Sequence, residues 1–275
     1  MVIRGLARIS LLLICLAAAA PALSAALWWS LDSGPWAQEP QLVLTEQSQS
    51  GAVRVYGDHP GLNAGPAAER TVDELTAAGG FDRGTLVVAL PTGSGWVDPA
   101  QVRATEHWAD GDVATISLRY SAAPSAAVYL LRPTLATESA RALIAEVSDR
   151  LDAMAPSDRP FLVVHGQSLG ALAGQRALED DSLTRHVDAR LWQGRPGDAP
   201  GAPTAPCVES AVNADDPVAA LSWGLLARPV EAVGVLAALP GSASASPGTL
   251  HSYLPVILSA ACVEPHPSPP PPVPA

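Results

Sequence analysis

Short, continuous apolar runs alternate with longer amphipathic stretches in the middle of the chain. Thr85–Leu90 (TLVVAL) and Phe161–His165 (FLVVH) contain almost no polar position, which is typical of strands buried on both faces of a parallel sheet. Between them, the apolar residues of Thr137–Met154 recur at three- and four-residue intervals and predict a long helix. This alternation favours an α/β fold, with a mostly parallel sheet and helices on both faces.

Weaker patterns predict further elements on either side of this central part. The run Val230–Leu239 is apolar, but its pattern assigns it to neither a helix nor a strand. We expect additional strands at Ala52–Tyr56, Ala114–Tyr120, Ala189–Gln193 and Cys207–Ala214, and additional helices at Ala67–Ala78, Leu169–Leu178 and Ser252–Ala261.

The N-terminal part has the pattern of a targeting segment. Arg4 and Arg8 precede the almost wholly apolar stretch Ile9–Ala26, as in a secretory signal. The apolar stretch is also about long enough to span a bilayer as a helix. A cleaved signal peptide and an uncleaved anchor therefore both fit, and we expect an extracytoplasmic protein, either anchored through this segment, which would contact the membrane, or secreted. Small residues at Ala22, Ser24 and Ala26 offer cleavage sites.

These patterns divide the chain into four parts. Residues 1–29 are the signal peptide or membrane anchor, and residues 30–50 are a lead-in. Residues 51–262 form the α/β domain. Residues 263–275 are a proline-rich tail, which is typical of an extended spacer.

Charge argues against one class of partner, and the cysteines and histidines bear on metal binding and disulfides. The formal net charge is -11, which argues against a nucleic-acid partner because phosphate binding needs a basic surface. Neither a Cys-x-x-Cys motif nor a histidine cluster indicates a metal site, and we expect no cofactor. Cys207 and Cys262 in an exported chain predict a disulfide, with two separate thiols as the alternative.

The strongest chemical signal is the pentapeptide Gly166-Gln167-Ser168-Leu169-Gly170, which lies between a predicted buried strand and an alanine-rich helix. A G-x-S-x-G motif in this context predicts a nucleophile elbow, in which a tight turn presents the serine. Glycine is needed at both ends of the motif because side chains there would crowd the neighbouring strand and helix. Ser168 is therefore the candidate nucleophile, at the carboxyl edge of the sheet.

A serine hydroxyl needs a base to take its proton, and in this arrangement the acid and then the histidine follow the serine along the chain. Of the three histidines downstream, His186 follows the elbow helix closely and His266 lies in the proline-rich tail. His251 lies in a loop after a Gly/Ser/Pro stretch. We therefore identify His251 as the candidate base.

The acid must lie between the nucleophile and the base. Asp216 follows a predicted strand and precedes Pro217, a suitable place for a carboxylate that orients the histidine. Asp215 is a close rival. Other carboxylates in this interval are less suitable: Asp188, Asp198 and Glu209.

Two backbone N–H groups are needed to stabilise the oxyanion. One is expected from Leu169, directly after the nucleophile, and the other from Thr92 or Gly93, in the loop after the strand TLVVAL. A phosphate-binding loop is the alternative for this glycine-rich segment, but the chain contains no lysine for a P-loop.

Five stretches, in order along the chain, resemble a bacterial membrane-associated α/β-hydrolase family. They cover most of residues 50–255, and PTGSGWVDP is the most distinctive segment. The resemblance implies an α/β-hydrolase fold and gives Ser168, Asp216 and His251 the three triad roles. The stretches are GGFDRGTLVVALPTGSGWVDP (79–99), GDVATISLRYSAAPS (111–125), RPFLVVHGQSLG (159–170), ADDPV (214–218) and HSY (251–253).

The sequence therefore predicts a serine hydrolase that cleaves a carboxylic ester or a related acyl bond through an acyl-serine intermediate. Its partner would be a small-molecule or lipid-like acyl substrate. Two alternatives stay open. A cell-envelope acyltransferase would use the same triad, and a binding or scaffold protein could use the same fold without catalysis.

Overall fold

Six strands form one parallel sheet, in the order β1-β3-β2-β4-β5-β6. The computed structural model describes residues 21–39, 43–197, 207–259 and 262. The predicted α/β class with a mostly parallel sheet is confirmed. The strands are β1 (Val53–Gly57), β2 (Thr85–Leu90), β3 (Val113–Leu118), β4 (Phe161–Gln167), β5 (Ala189–Gln193) and β6 (Val208–Ala211).

Seven helices accompany this sheet in the described part of the chain, besides short 3₁₀ turns. Most of them connect successive strands, as parallel pairing requires. The helices are α1 (21–32), α2 (Ala64–Ala77), α3 (Pro99–Trp108), α4 (Ser125–Leu131), α5 (Leu135–Asp152), α6 (Leu169–Ala177) and α7 (Pro229–Ala238).

Alternate residues of the central strands point to opposite faces of the sheet, as the period of a β-strand requires. On β2, Leu86 and Val88 join the larger buried cluster with residues of α2, α5 and α6. Val87, between them, belongs to a second cluster with Val163 of β4. The central strands are thus covered on both faces, which explains why their sequences are continuously apolar.

The second face is covered partly by an extended segment, and here the prediction for the C-terminal part is wrong. Residues 252–259 contain no helix, although a closing helix was expected at Ser252–Ala261. Leu258 is buried against the sheet, and Val256 packs beside it. Gln101 of α3 holds this segment, since its amide donates to the Val256 carbonyl at 2.9 Å and accepts from the Val256 N–H at 2.8 Å.

Two helices were not predicted, and one apolar run received no assignment. For α3, Asp98 is the N-cap and accepts a hydrogen bond from the Ala100 N–H at 2.8 Å, and Pro99 is the first helical residue. Both are recognised helix-start signals. Helix α4 was also missed. The unassigned run Val230–Leu239 largely coincides with α7.

Helix α1 is attached to the α/β domain near its C-terminal end. Trp28 packs against the main cluster, and the Arg132 guanidinium lies 5.6 Å from its ring centroid. The Asp32 carboxylate accepts hydrogen bonds from the Ser121 hydroxyl at 2.7 Å and the Ala122 N–H at 2.9 Å. Among the residues that the structure describes, no helix has the length and apolar character needed to cross a membrane.

The two cysteines of the domain lie close together but are not joined. Cys207 and Cys262 are both free thiols, so the structure does not contain the predicted disulfide. A hydrogen bond to the Cys262 thiol, together with burial, raises the pKa of Cys207 to about 11. The two thiols are therefore neighbours at the start of the edge strand β6. The disulfide between them remains a prediction.

Candidate active site

A sharp turn between β4 and α6 presents Ser168. Its backbone has φ 55° and ψ -121°, a conformation that costs a non-glycine residue roughly 1–3 kcal/mol. The turn is held because the Ser168 N–H donates to the Gln193 carbonyl of β5 at 2.7 Å. The side chain lies at the carboxyl edge of the sheet and at the N-terminus of α6, whose dipole favours negative charge.

Two glycines make this turn possible. A Cβ on Gly166 would lie 2.5 Å from the Gly170 carbonyl carbon, and a Cβ on Gly170 would lie 2.1 Å from the Leu90 carbonyl oxygen. Both obstacles are backbone atoms, which cannot move aside as a side chain can. The geometry therefore has the crowding expected of an elbow.

Gly170→Ala is expected to lower the free energy of unfolding by about 3 kcal/mol, because α6 must move away from β2. Urea unfolding monitored by circular dichroism would measure the change. The matched control is Gly65→Ala in α2, where a Cβ would meet nothing within 4 Å and should leave the protein equally stable or about 1 kcal/mol more stable. Equal stability of the two variants would contradict the close contact between Gly170 and the Leu90 backbone.

The structure brings His251 and Asp216 together, although 35 positions separate them along the chain. His251 Nδ1 lies 2.8 Å from Asp216 Oδ2, and the other carboxylate oxygen accepts from the Val218 N–H at 2.8 Å. Burial raises the pKa of Asp216, but hydrogen bonds from His251 and Tyr253 outweigh it and leave the pKa below its usual value. An ionised Asp216 can only accept, so Nδ1 carries the proton and Nε2 of the neutral ring has its lone pair free.

Tyr253 is a site residue that the sequence interpretation missed. Its hydroxyl donates to Asp216 Oδ2, the same oxygen that faces His251, and it accepts from the Asn213 N–H at 3.3 Å. Burial, followed by the hydrogen bond to Asp216 and the negative charge of that carboxylate, raises the pKa of Tyr253 above its ordinary value. The phenol therefore stays protonated and acts as a constant donor to the carboxylate.

Tyr253→Phe is expected to reduce the free energy of unfolding by about 1.5–3 kcal/mol at neutral pH, since a charge-assisted hydrogen bond is lost. The lowered pKa of Asp216 means that its carboxylate stabilises the fold above the unfolded pKa of about 3.9, and that this contribution disappears as the pH falls through the folded pKa. The difference between Tyr253→Phe and wild type should therefore shrink below about pH 4.

Unfolding curves at several pH values measure this difference, with Tyr129→Phe on α4 as the control. A difference that is independent of pH would show that the hydroxyl does not act through the carboxylate of Asp216.

Two polar side chains fix the backbone just before His251. Leu250 has φ 48°, in the left-handed region. Its N–H donates to Asp215 Oδ1 at 3.0 Å, and its carbonyl accepts from the Asn213 side-chain amide at 2.9 Å. Asp215, the rival for the acid role, thus contacts the loop backbone, whereas Asp216 contacts the His251 ring.

Gln193, at the end of β5, fixes the backbone just after His251. Its buried side-chain amide donates to the Leu254 carbonyl at 2.8 Å and faces His165 Nε2 at 2.9 Å. Burial, only partly offset by the hydrogen bond to Gln193, lowers the pKa of His165. The histidine loop is therefore held by the same strand that binds the Ser168 backbone.

Ser168 and His251 both lie beside the end of β5. A Cβ on Gly194 would lie 2.9 Å from the Cε1 atom of His251, and Gly194 directly follows the residue that accepts the Ser168 N–H. Both side chains are largely buried. Within the described residues, no hydrogen bond joins the two side chains. Such bonds are often long before substrate binds.

The three backbone amides predicted to stabilise the oxyanion differ in their present partners. The N–H of Leu169, the first residue of α6, has no acceptor within the helix. The N–H of Thr92 donates to the Trp96 carbonyl at 3.0 Å and closes a turn. The N–H of Gly93 donates to the Ser125 hydroxyl at 2.9 Å.

The other candidates for the base and the acid lie away from the site or outside the described residues. His186 Nε2 contacts Asp152 at 2.6 Å, and Asp188 Oδ2 accepts from the Leu162 N–H at 2.7 Å. Glu209 lies within β6. His266 and Asp198 are outside the residues that the structure describes.

The family model described as the alpha/beta-hydrolase family matches residues 53–205. This is more than half of the chain, and the chain belongs to this family. The match includes Ser168 and both elbow glycines, but it ends before Asp216 and His251. No curated protein matches the chain at a significant level.

Solved structures with a partial likeness include two esterases. A Trichoderma reesei cutinase bound to a phosphonate inhibitor is 14% identical, with 63% of this chain and 87% of that chain covered and a TM-score of 0.39. An acetylxylan esterase is also 14% identical, with 57% and 98% covered and a TM-score of 0.35. The assignment therefore depends on the family match, the parallel sheet and the elbow.

Proposed function

We propose that this protein is a serine hydrolase that cleaves a carboxylic ester or a related acyl bond. The observation that carries the proposal is the buried His251–Asp216 hydrogen bond. It leaves the second ring nitrogen of His251 free at the sheet edge where the elbow presents Ser168. A nucleophile, a base and an orienting acid in this chain order are the parts that acyl transfer requires.

In the first half of the reaction, Ser168 Oγ attacks the carbonyl carbon of the ester while His251 Nε2 takes the hydroxyl proton. The carbonyl double bond becomes an oxyanion. When that bond re-forms, the bond to the leaving alcohol breaks, and His251 gives its proton to the alcohol oxygen. Asp216 stabilises the imidazolium between these two steps. The product is an acyl-serine and a free alcohol.

In the second half, water replaces the alcohol. His251 removes a proton from the water, whose oxygen attacks the acyl carbon, and the proton then returns to Ser168 Oγ as the acid leaves. The enzyme regains its starting state, and one water molecule has been consumed for each ester bond.

The amides of Leu169 and Gly93 are the oxyanion donors in this proposal. Thr92 is less suitable because its N–H already closes a backbone turn. The partner of the Gly93 N–H is the Ser125 hydroxyl, which can rotate away when a substrate oxygen arrives. A donor of this kind is worth about 10²–10³-fold in kcat.

Ser125→Ala is expected to keep ester hydrolysis within about threefold of wild type, because the Gly93 N–H remains in place. Steady-state kinetics with a p-nitrophenyl ester would measure it. A loss of about 10²-fold would instead assign the second oxyanion donor to the Ser125 hydroxyl.

We also propose that the protein acts outside the cytoplasm and contacts a membrane through its N-terminal segment. The basic start and the apolar stretch that follows it support this placement. The contacts of Trp28 and Asp32 with the domain begin after the predicted cleavage sites. They are therefore compatible with a cleaved signal and with an uncleaved anchor.

Treatment of the protein with a fluorophosphonate, followed by intact-mass measurement, tests the proposal. We expect one adduct on wild type, none on Ser168→Ala and slow formation on His251→Ala. A parallel assay with a p-nitrophenyl ester and an added alcohol separates a hydrolase, which releases the free acid, from an acyltransferase. Failure of a folded wild-type protein to form an adduct would refute the activated serine and favour a non-catalytic role.

A further inference from the structure

Helix α7 exposes apolar side chains to an unusual degree. Val230 is 88% exposed, Val233 68% and Leu236 57%, and no residue of the helix is buried. Glu231 is its one charged residue, and Arg228 pairs with it at 2.7 Å. A helix on a water-facing surface normally has an apolar stripe turned to the core and a polar face turned outward. Helix α7 lacks such a polar outer face.

The position of α7 connects it to the active site. It lies in the segment between Asp216 and His251, so it is inserted between the acid and the base. After the helix, the carbonyl of buried Ser242 accepts the His251 N–H at 3.2 Å. Before the helix, buried Leu225 anchors the chain. The exposed apolar helix is therefore fastened to the loops that carry the catalytic groups.

A second set of exposed apolar residues lies at the same edge of the sheet. Leu27 and Trp29 of α1 and Leu130 of α4 are all exposed. Helix α1 contacts the loop after β3 through Asp32 and Ser121. This loop follows the carboxyl end of its strand, as do the loops around α7. In the strand order, β3 and β6 lie on opposite sides of β4, so the loops that lead to the two sets begin on either side of the nucleophile.

The occupant that best fits these surfaces is a lipid bilayer. The apolar stretch that begins at Ile9 leads directly into α1, and Trp28 and Trp29 follow it. Tryptophan is enriched where a chain meets the membrane–water interface. Because α1 is attached to the domain, a membrane-bound N-terminal segment would hold the carboxyl edge of the sheet close to the lipid. An apolar helix at that edge would then be buried among headgroups and acyl chains.

We propose that α7 inserts into the membrane interface, so that the active site faces the bilayer and receives acyl esters carried by the membrane. This inference rests on the proposed hydrolase function for the substrate, but the contact of α7 with lipid can be tested without any activity. It defines a second membrane contact, 200 residues after the N-terminal segment, and it specifies a lipid-borne rather than a freely dissolved ester.

A fluorescent label on α7 tests the contact in the full chain. Val233→Cys would carry an environment-sensitive nitrobenzoxadiazole label. The background would contain the substitutions Cys15→Ser, Cys207→Ser and Cys262→Ser. Phosphatidylcholine vesicles should shift its emission to the blue and raise its intensity about twofold or more. Lipids with a quencher near the headgroup should reduce that intensity. The matched control, Ser157→Cys, lies at the opposite edge of the sheet, is exposed, and should not respond.

Two results would overturn the contact. An emission spectrum of the α7 label that vesicles leave unchanged would show that the helix stays out of lipid. A blue shift without vesicles that grows with protein concentration would show that a second copy of the chain covers α7. Labelling of Ser168 by a fluorophosphonate, measured on the same samples, reports separately whether the proposed hydrolase function holds. Circular dichroism reports whether the cysteine substitutions leave the protein folded.

A kinetic comparison tests the substrate class with the native cysteines in place. The measured quantity is the ratio of the rate on a vesicle-borne long-chain ester to the rate on a dissolved short-chain ester. This ratio should fall about tenfold or more in the triple variant Val230→Ser, Val233→Ser, Leu236→Ser. An unchanged ratio would contradict the proposed substrate class, whatever the absolute activity.

Discussion

Ser168→Ala is expected to lower kcat for ester hydrolysis by about 10⁴–10⁶-fold, because no other group at the elbow can form the acyl intermediate. His251→Ala should cost nearly as much, since the serine hydroxyl is a weak nucleophile without a base. The double variant should be little slower than either single variant, because the two side chains act as one unit. Initial rates with a p-nitrophenyl ester would measure all three.

Matched controls for these variants lie far from the site. Ser148→Ala removes another buried hydroxyl, one without a hydrogen-bond partner in the described residues. His186→Ala removes a histidine that contacts Asp152 instead. Both should keep wild-type rates. If Ser168→Ala retained more than about 1% of the activity, the acyl-serine route would be wrong.

Asp216→Asn is expected to lower kcat by about 10⁴-fold. An asparagine amide facing His251 Nδ1 would favour the ring tautomer that carries its proton on Nε2, and this tautomer cannot take the Ser168 proton. Asp215→Asn, one position earlier, should cost less than about tenfold, because its Oδ1 accepts from the Leu250 N–H, a bond that the carbonyl of asparagine can also accept.

Steady-state kinetics of the two aspartate variants, each checked for folding by circular dichroism, would measure this contrast. Equal losses would mean that the loop geometry set by Asp215 matters as much as the orientation of the imidazole. A larger loss for Asp215→Asn would reverse the assignment of the acid.

Local patterns were sufficient for the buried strands and for the elbow. The predicted bounds of Thr85–Leu90 and Ala189–Gln193 agree with β2 and β5. For β2 the pattern is clear because a strand buried on both faces is apolar at nearly every position. The helix after Ser168 was also predicted, since the pentapeptide and the alanine-rich run are adjacent in sequence.

The elements at the margins were harder to predict, because their burial depends on distant partners. The segment Ser252–Ala261 has enough apolar residues for a helix, but Gln101 binds its backbone and β-strand neighbours cover Leu258. Helix α3 was missed because its buried face includes polar residues such as Glu106, which pairs with Arg54 at 2.6 Å. The Asp98–Pro99 start signal was the clue available.

Within the site, chain order and turn chemistry pointed to His251 and Asp216, but they left Asp215 as an alternative. Only the three-dimensional arrangement shows which carboxylate faces the ring. Tyr253 and Gln193 could not be recognised from sequence, because each acts through a partner far along the chain. The partner of the Gly93 amide, Ser125, belongs to the same category.

The order of these groups along the chain has a consequence for biosynthesis. Ribosomes make the N-terminal end first, so β1–β5 and the elbow exist before Asp216 and His251 have been polymerised. The amide of Gln193 likewise cannot hold the loop around His251 until Leu254, whose carbonyl it binds, has been added. A nascent chain that has already placed its serine at the sheet edge is therefore still unable to activate it. In the proposed hydrolase, the chain therefore stays inert while it is being synthesised and becomes hydrolytic only when its last loops have been added.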